Sequence, residues 1–581
     1  NEENFPFIEA TEAPLEYTDM FDRVPGNALD EIGGAESLNI GNSYLQEFML
    51  ADQSLTDESY DVKLDYELSF ALTSSITGKI QLGGKYHQLD RTSDGTERYS
   101  DFQWGGSVAR RQSLLQTFPW ITTDIAAFRG ISAHNFVDDA YDQDDFLNGR
   151  YEVGWTADID LLTDMQSEYN TGFNDTSGIY DRKYYLRGVE SYVRDYSAKE
   201  QLTAGYIMTE LNIGEKLMLL PGIRYERNET EYFAFHIRTN SGITGIDPNP
   251  DSVTTNRSNE NWFPSLNFKY EITNWASIQG AAYKSTSRPS FRQISPLVIY
   301  PNTGNFIRSN NPWLEPSTAW NYDLGISVMK PKIGLFTIFG FYKEIQDLIF
   351  TMNDYKPSKK GLIVGGPDDI DDRILGAEYY DEFYLNANGE TNLPINNPEK
   401  AVVKGIEFSW QTNFWYLSGM LRGLVLDVNY SIIDARTKYT YFQAVQVGVD
   451  SSGFIPQPIY GQEYQTRTGP MEDQPESILN IILGWDFKGF SSRVSFRHQT
   501  STVESLDSYH AVFDSYYDDF TLIDVMLKQR ITENVSAFIN MTNIGNHIDD
   551  YFYGEREGKP RLPTRSQFYG SRIQFGARFK L

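Results

Sequence analysis

YGSRIQFGARFKL, residues 569–581, has a period of two. Tyr569, Ile573, Phe575, Ala577, Phe579 and Leu581 fall on one side, and Arg572, Gln574, Arg578 and Lys580 on the other. Successive side chains of a strand point to opposite faces, so such a strand carries one apolar and one polar face. Upstream, the same alternation recurs in 61–71, 76–87, 192–211, 215–231, 261–272, 274–287, 318–329, 333–349, 401–415, 420–437, 476–488, 491–503, 517–530 and 534–543. With 566–581 this gives about fifteen strands. They come in pairs joined by a few residues rich in Gly, Asn, Pro or Lys. Between pairs the connections are long: 88–191, 232–260, 288–317, 350–400, 438–475, 504–516 and 544–565. Short turns on one side and long loops on the other predict an all-β transmembrane antiparallel β-barrel, with the long loops outside.

Composition agrees. No apolar run approaches the roughly 20 residues of a membrane helix, and the longest lies near Leu335 to Phe341. A barrel remains open, because its inward positions are polar and only helices and closed barrels satisfy their backbone in lipid. The 38 Tyr and 36 Phe suit aromatic girdles at the two interfaces; a soluble sandwich or propeller core is the alternative. A net charge of −30 argues against a nucleic-acid partner. Without cysteine there is no disulfide, thiol catalysis or thiolate metal site.

Residues 1–58 lack strand alternation and read as an extracellular loop segment, with Leu45 to Leu50 as a short helix; 59–581 reads as the barrel portion. The chain begins at Asn1 with neither an initiator Met nor a signal peptide, as a processed or partly recorded product would. An odd number of antiparallel strands cannot close, and an open edge in lipid costs several kcal/mol for each unpaired group. Further strands on another stretch of chain are therefore expected.

Several segments resemble the TonB-dependent outer-membrane receptors in the form common in the Bacteroidota. NWFPSLNFKYEITNWASIQGAAYKSTSRPSF (261–291) looks like a strand pair followed by a loop opening with Arg288-Pro289. NPWLEPSTAWNYDLGI (311–326) is similar to the family's Asn-Pro-x-Leu-x-Pro segment. LFTIFGFYKEIQDLIF (335–350), KGIEFSW (404–410), FINMTNIGN (538–546) and the closing strand follow in the family's order. Family barrels end in an aromatic residue, whereas this chain ends in Leu581 with Phe579 two before it. The resemblance implies 22 strands around an N-terminal plug, of which this chain would supply strands eight to twenty-two. The missing N-terminal part of the receptor would carry the plug and the segment that touches TonB. Siderophore, glycan or peptide import across the outer membrane of a Gram-negative bacterium is the implied function.

The side chains give no catalytic constellation. The six histidines (His87, His134, His236, His498, His510 and His547) are scattered without ligand spacing, and an enzyme is not expected. Two acidic runs, Asp138, Asp139, Asp142, Asp144 and Asp145, and Asp368, Asp369, Asp371 and Asp372, offer hard oxygens for Ca²⁺ but lack EF-hand spacing. A solvated acidic loop is the plainer reading. In the loop after Ser287, Arg288, Arg292 and Arg308 stand among Phe291, Tyr300, Phe306 and Trp313. Arg forks and aromatic faces can hold carboxylates or stack on sugars and chelates. Loop self-packing and contact with lipopolysaccharide use the same residues. Phe118, Trp120 and Phe128 in the first long loop are read the same way. Besides import, two roles stay open: a docking barrel in a larger outer-membrane assembly, with a surface lipoprotein or other outer-membrane proteins as partners, and a passive pore.

Overall fold

The computed structural model describes residues 7–10, 40, 43–102, 108–121, 125–126, 130–141, 155–171, 186–187, 190–240, 245–246, 250–300, 306–355, 363–364, 390–451, 453, 456–507, 510–554 and 563–580. Its framework is an antiparallel meander. The strands are β1 (Ser43–Thr73), β2 (Ile76–Asp101), β3 (Tyr196–Ile213), β4 (Leu217–Asn240), β5 (Asp251–Thr273), β6 (Ala276–Ser287), β7 (Ser317–Lys330) and β8 (Gly334–Gln346). They continue as β9 (Ala401–Asn413), β10 (Leu424–Asp450), β11 (Ser477–Phe487), β12 (Phe490–Gln499), β13 (Phe520–Arg530), β14 (Val535–Thr542) and β15 (Arg572–Phe579). Each pairs with the next in the chain.

The two faces differ as the alternation predicts. One carries Leu82, Ile223, Trp262, Leu266, Leu324, Ile338, Ile406 and Ile432, all exposed. The other carries ion pairs such as Lys63–Asp65 and Lys85–Asp61, each at 2.8 Å, and Lys79–Glu67 at 3.0 Å. The loop after β6 folds against this second face, burying Ala198 and Tyr232 under Ile294 and Leu314. The polar face is therefore the inner one. Turns at the short end are tight. Lys488 and Gly489 both take positive φ, 49° and 82°, as a two-residue type I′ hairpin requires.

Glycines opposite Phe rings recur along the ladders. Phe341 faces Gly405 directly, and a methyl group on Gly405 would lie 2.6 Å from its ring and 2.3 Å from the Ile432 carbonyl. Neither neighbour can yield without shifting a strand. Gly405→Ala is expected to destabilise the wall by about 1–3 kcal/mol, as overpacking does; urea unfolding in detergent micelles gives the number, and an unchanged midpoint would refute it.

Three expectations need correction. Leu45 to Leu50 is not helical but lies within β1. The segments 88–191, 232–260 and 438–475 begin or end as strand, since β2 runs to Asp101, β4 to Asn240 and β10 to Asp450. Backbone pairing continues beyond the bilayer, where water on both sides removes the need for one apolar face. The expected loops 504–516 and 544–565 contain a separate small sheet of Thr502–Ser505, Ser515–Tyr517, Ile548–Tyr553 and Pro563–Phe568.

Beyond β2 the first long loop builds a compact cap. Leu45 and Phe48 of β1 and Phe102 pack with Leu114 of α1 (Val108–Thr117) and with Leu162, Met165 and Tyr169 of α2 (Ile159–Thr171), all buried. Among the described residues no ladder joins β1 to β15. Phe7–Ala10 and Gly130–Ser132 pair with β1 only along Ser43–Glu47, and no described strand flanks the outer edge of its Leu55–Thr73 stretch or that of β15.

Candidate functional site

The inner face near the long-loop end holds the strongest convergence of polar side chains. It is built from the loop that follows β6. Arg288 donates to the Glu226 carboxylate of β4, which also accepts from Arg224 Nε at 2.7 Å. Ser290 then caps a single turn, α4 (Phe291–Ile294). Its hydroxyl accepts from the Gln293 backbone N–H at 3.4 Å, and the Gln293 side-chain Oε1 accepts from the Ser290 N–H at 2.8 Å. This reciprocal box satisfies two otherwise orphaned donors and fixes how the chain enters the turn.

Apolar contacts seat the turn on the wall. Phe291 lies beneath Arg91, whose guanidinium is 4.5 Å from the ring centroid and is held by Asp57 at 2.6 Å. Tyr232 is buried beside Phe291 and donates to Glu200 at 2.7 Å. At the other end of the loop Arg257 of β5 stacks 5.1 Å from the Trp313 ring and donates to the Pro312 carbonyl at 3.0 Å. Arg288 and Trp313 thus hold the loop to the wall. Replacing Arg288 with Ala is expected to speed amide exchange across residues 290–298 and 309–316, while any affinity located at Arg292 and Arg308 falls less than tenfold. Equal losses at Arg288 and at those two arginines would merge the anchor with the site.

The far side of the loop opens on a cavity of about 620 Å³. Arg292 of α4 and Arg308 of the short strand Phe306–Ser309 line it together with Arg194, the last residue of α3 (Glu190–Arg194). Gln53 of β1, Tyr196 of β3, Ser295, Ser309, Asn310 and Asn392 add to its polar lining. Arg292 and Arg308 are exposed. Among the described residues that line it there is no carboxylate. Guanidinium forks match carboxylates and phosphates bidentately, and the amides supply both donors and acceptors.

The structure therefore brings Arg292 and Arg308 together and puts Arg288 and Trp313 to anchoring. Tyr300 ends the strand Val298–Tyr300, which runs parallel to β4 at His236 to Arg238, and Phe306 opens the strand that carries Arg308. Trp120 does not line the cavity. It sits exposed on the cap, edge-on to Phe118 and Phe136 at 6.3 and 6.2 Å. Asp138 closes a turn by accepting from the Ala140 N–H at 2.9 Å, and Asp139 is exposed. Asp142, Asp144, Asp145 and the run from Asp368 to Asp372 lie outside the described residues. Among the described residues no three carboxylate or imidazole side chains gather as metal ligands do. Arg194, Gln53 and Asn392 had no sequence signal linking them to the loop. Tyr196 had one, because it shares strand parity with Ala198 and Glu200 on the inner face.

The family model described as "TonB dependent receptor-like, beta-barrel" matches residues 15–544. The probable TonB-dependent siderophore receptor PirA of Acinetobacter baumannii is 25% identical over 184 residues, which are 28% of this chain and 22% of that protein. Among solved structures, the ferric-catecholate import receptor Fiu of E. coli K12 aligns with 91% of this chain and 55% of its own at 14% identity and a TM-score of 0.49. The siderophore receptor PiuA of Acinetobacter baumannii aligns with 92% and 57% at 11% identity and a TM-score of 0.48. The chain thus spans little more than half the length of these two receptors.

Proposed function

This chain belongs to the TonB dependent receptor-like β-barrel family, whose members sit in the Gram-negative outer membrane, and on that premise we propose that it forms most of the wall of an importer whose ligand docks in the arginine-lined cavity. The observation that carries this reading is the convergence of Arg194, Arg292 and Arg308 at the long-loop end of the inner face. Three guanidinium groups around one cavity favour an anionic ligand bearing carboxylates or similar oxygens. An iron chelate is the class that the name of the siderophore-receptor relative supports. Ca²⁺ at the acidic loops is a lesser proposal, to which the described geometry adds nothing.

Import also needs parts beyond this sheet. The outer edges of β15 and of the Leu55–Thr73 stretch of β1 call for further strands in the bilayer, in keeping with a 22-stranded barrel around a plug that TonB pulls. The Bacteroidota type, with a surface lipoprotein over the mouth, suits the long loops and the packed cap. A docking role in a larger outer-membrane assembly is the second reading, favoured by the same cap.

The test is equilibrium binding and cellular uptake of ferric citrate, an iron tricarboxylate, compared with a neutral trishydroxamate chelate. Binding of the anionic chelate with TonB-dependent uptake is expected. Binding without uptake would turn the reading towards docking, and a preference for the neutral chelate would remove the anionic-ligand assignment.

A further inference from the structure

β2 outruns its neighbour β3. The ladder between them ends with Ser93 opposite Tyr196, whereas β2 continues to Asp101. Beyond Ser93 the edge of β2 that faces away from β1 needs partners for its backbone. The chain entering β3 supplies them with side chains in place of a strand. The Asp195 carboxylate accepts from the Gly95 N–H at 2.7 Å. The Ser191 hydroxyl accepts from the Glu97 N–H at 2.7 Å and donates to the Glu97 carbonyl at 3.1 Å. Ser191 is fully buried, so one hydroxyl meets both backbone groups of a strand residue out of reach of water. Leu186–Arg187 then resumes the ladder opposite Tyr99 and Arg98.

These contacts hold α3 on one side, and apolar packing holds it on the other. Tyr192 and Val193 lie against Ala234 and Ile237 of β4 and against Leu297 and Ile299 of the loop after β6. The Tyr192 ring meets Phe235 edge-on at 5.4 Å. Clamped between wall and loop, α3 ends on Arg194 at the cavity.

The stem of Arg194 runs across Gly95. This glycine stands opposite Gln53 in the ladder of β1 and β2, and Gln53 lines the cavity, so both positions face the same space. A Cβ on Gly95 would overlap the Cβ of Arg194 and lie 3.0 and 3.2 Å from its Cδ and Cγ. The backbone of α3 fixes the Arg194 Cβ, so the helix itself would have to lift and loosen its bonds to β2. Three guanidinium groups around one cavity repel each other. A long side chain ordered before the anion arrives loses less freedom on binding. The bare strand at Gly95 gives Arg194 a bed in which it is ordered in advance.

We propose that Gly95 is a positioning residue of the anion site: the absence of a side chain there lets α3, locked to β2 by Ser191 and Asp195, aim Arg194 into the cavity beside Arg292 and Arg308. The effect on affinity rests on the anionic-ligand reading, whereas the placing of Arg194 can be measured without a ligand.

The purified receptor containing this chain is first treated with phenylglyoxal, which modifies arginine, and the rate at Arg194 is read by peptide mass spectrometry. In Gly95→Ala, Arg194 should react about threefold faster, the gain expected when one long side chain is released, with Arg308 unchanged. An unchanged rate at Arg194 would overturn the proposal whatever the cavity binds. Ferric citrate titration then asks whether Gly95 acts through Arg194. Gly95→Ala should weaken binding about fivefold and Arg194→Ala about tenfold, while the double variant should bind like Arg194→Ala alone. A fivefold loss that persists without Arg194 would show Gly95 acting by another route and would also overturn it. Faster modification together with wild-type affinity in Arg194→Ala would leave the positioning intact and remove the ligand assignment instead. Ser191→Ala, which keeps the glycine but unlocks α3, should show the same pattern and serves if Gly95→Ala does not fold.

Discussion

Ferric citrate affinity should fall at least 100-fold when Arg292 and Arg308 are both replaced by alanine. Hydrogen bonds to charged groups contribute about 1.5–3 kcal/mol each. Two contacts at the low end of that range already give a factor of about 100. Both side chains are exposed at the cavity surface, and the loop that carries them is tied to the wall through Arg288, Trp313 and the Ser290 cap. The double variant should therefore fold and reach the membrane like the parent. Lysine at both positions keeps the charge but loses the planar fork, so it should recover only part of the loss. Titration of the purified receptor with ferric citrate decides the matter: wild-type affinity in the double-alanine variant would move the binding site elsewhere.

Asp514→Ala should release the loop between β12 and β13. Asp514 is almost fully buried, at 1% exposure, and accepts from both terminal nitrogens of Arg467 at 2.8 and 2.9 Å. Arg467 also donates to the Asp507 carbonyl at 2.6 Å, and Asp514 accepts from the Asp507 N–H at 2.9 Å. Removing one partner of a buried pair leaves the other charge without compensation, at a cost of roughly 3–5 kcal/mol. Hydrogen exchange should accelerate in Thr502–Ser505 and Ser515–Tyr517, with β11 and β12 unchanged. Protection equal to wild type in the small sheet would show that Tyr439, Val503 and Leu506, which pack beneath it, hold the loop by themselves.

The same carboxyl sets a pH response. Burial pushes Asp514 above the usual carboxylate range, and Arg467 only partly pulls it back. A folded-state value raised above the unfolded one means that the folded loop binds the proton more tightly. That stabilisation is complete below the unfolded value, near 3.9, and is lost as pH rises through the raised one. Acidification from pH 7 to 5 should therefore leave the loop as protected as before, or more so, after correction for intrinsic exchange. Loosening on acidification would reverse the sign.

The framework was legible because the bilayer imposes alternation. Leu64, Tyr66 and Leu68 on β1, and Ile539 and Met541 on β14, repeat every second residue where one face must be apolar. Outside that band the constraint lapses, so Ser43 to Leu55 of β1 and Gln446 to Asp450 of β10 pair as strand without displaying it. The cavity was half legible. Arg292 and Arg308 share a loop rich in aromatics, but Arg194 lies almost a hundred residues upstream, and only β3 carries it alongside. Arg288 looked like its neighbours, and its pairing with Glu226 on another strand shows only in the fold. Charge and residue type are visible in a sequence; which partner has already claimed the charge is not.

Each long ladder of the wall joins strands that follow one another along the chain. Every such pairing closes a loop whose entropy cost grows only with the logarithm of its length, so the wall can zip up hairpin by hairpin. The outer edge of β15 is the exception. In the proposed 22-stranded wall its partner is the first strand, which it must meet across the whole width of a sheet already formed, and non-local contacts of that kind set the slow step in folding. Biogenesis of this receptor should thus be rapid along its length and limited by its seam, the last place where backbone groups wait for partners inside the membrane.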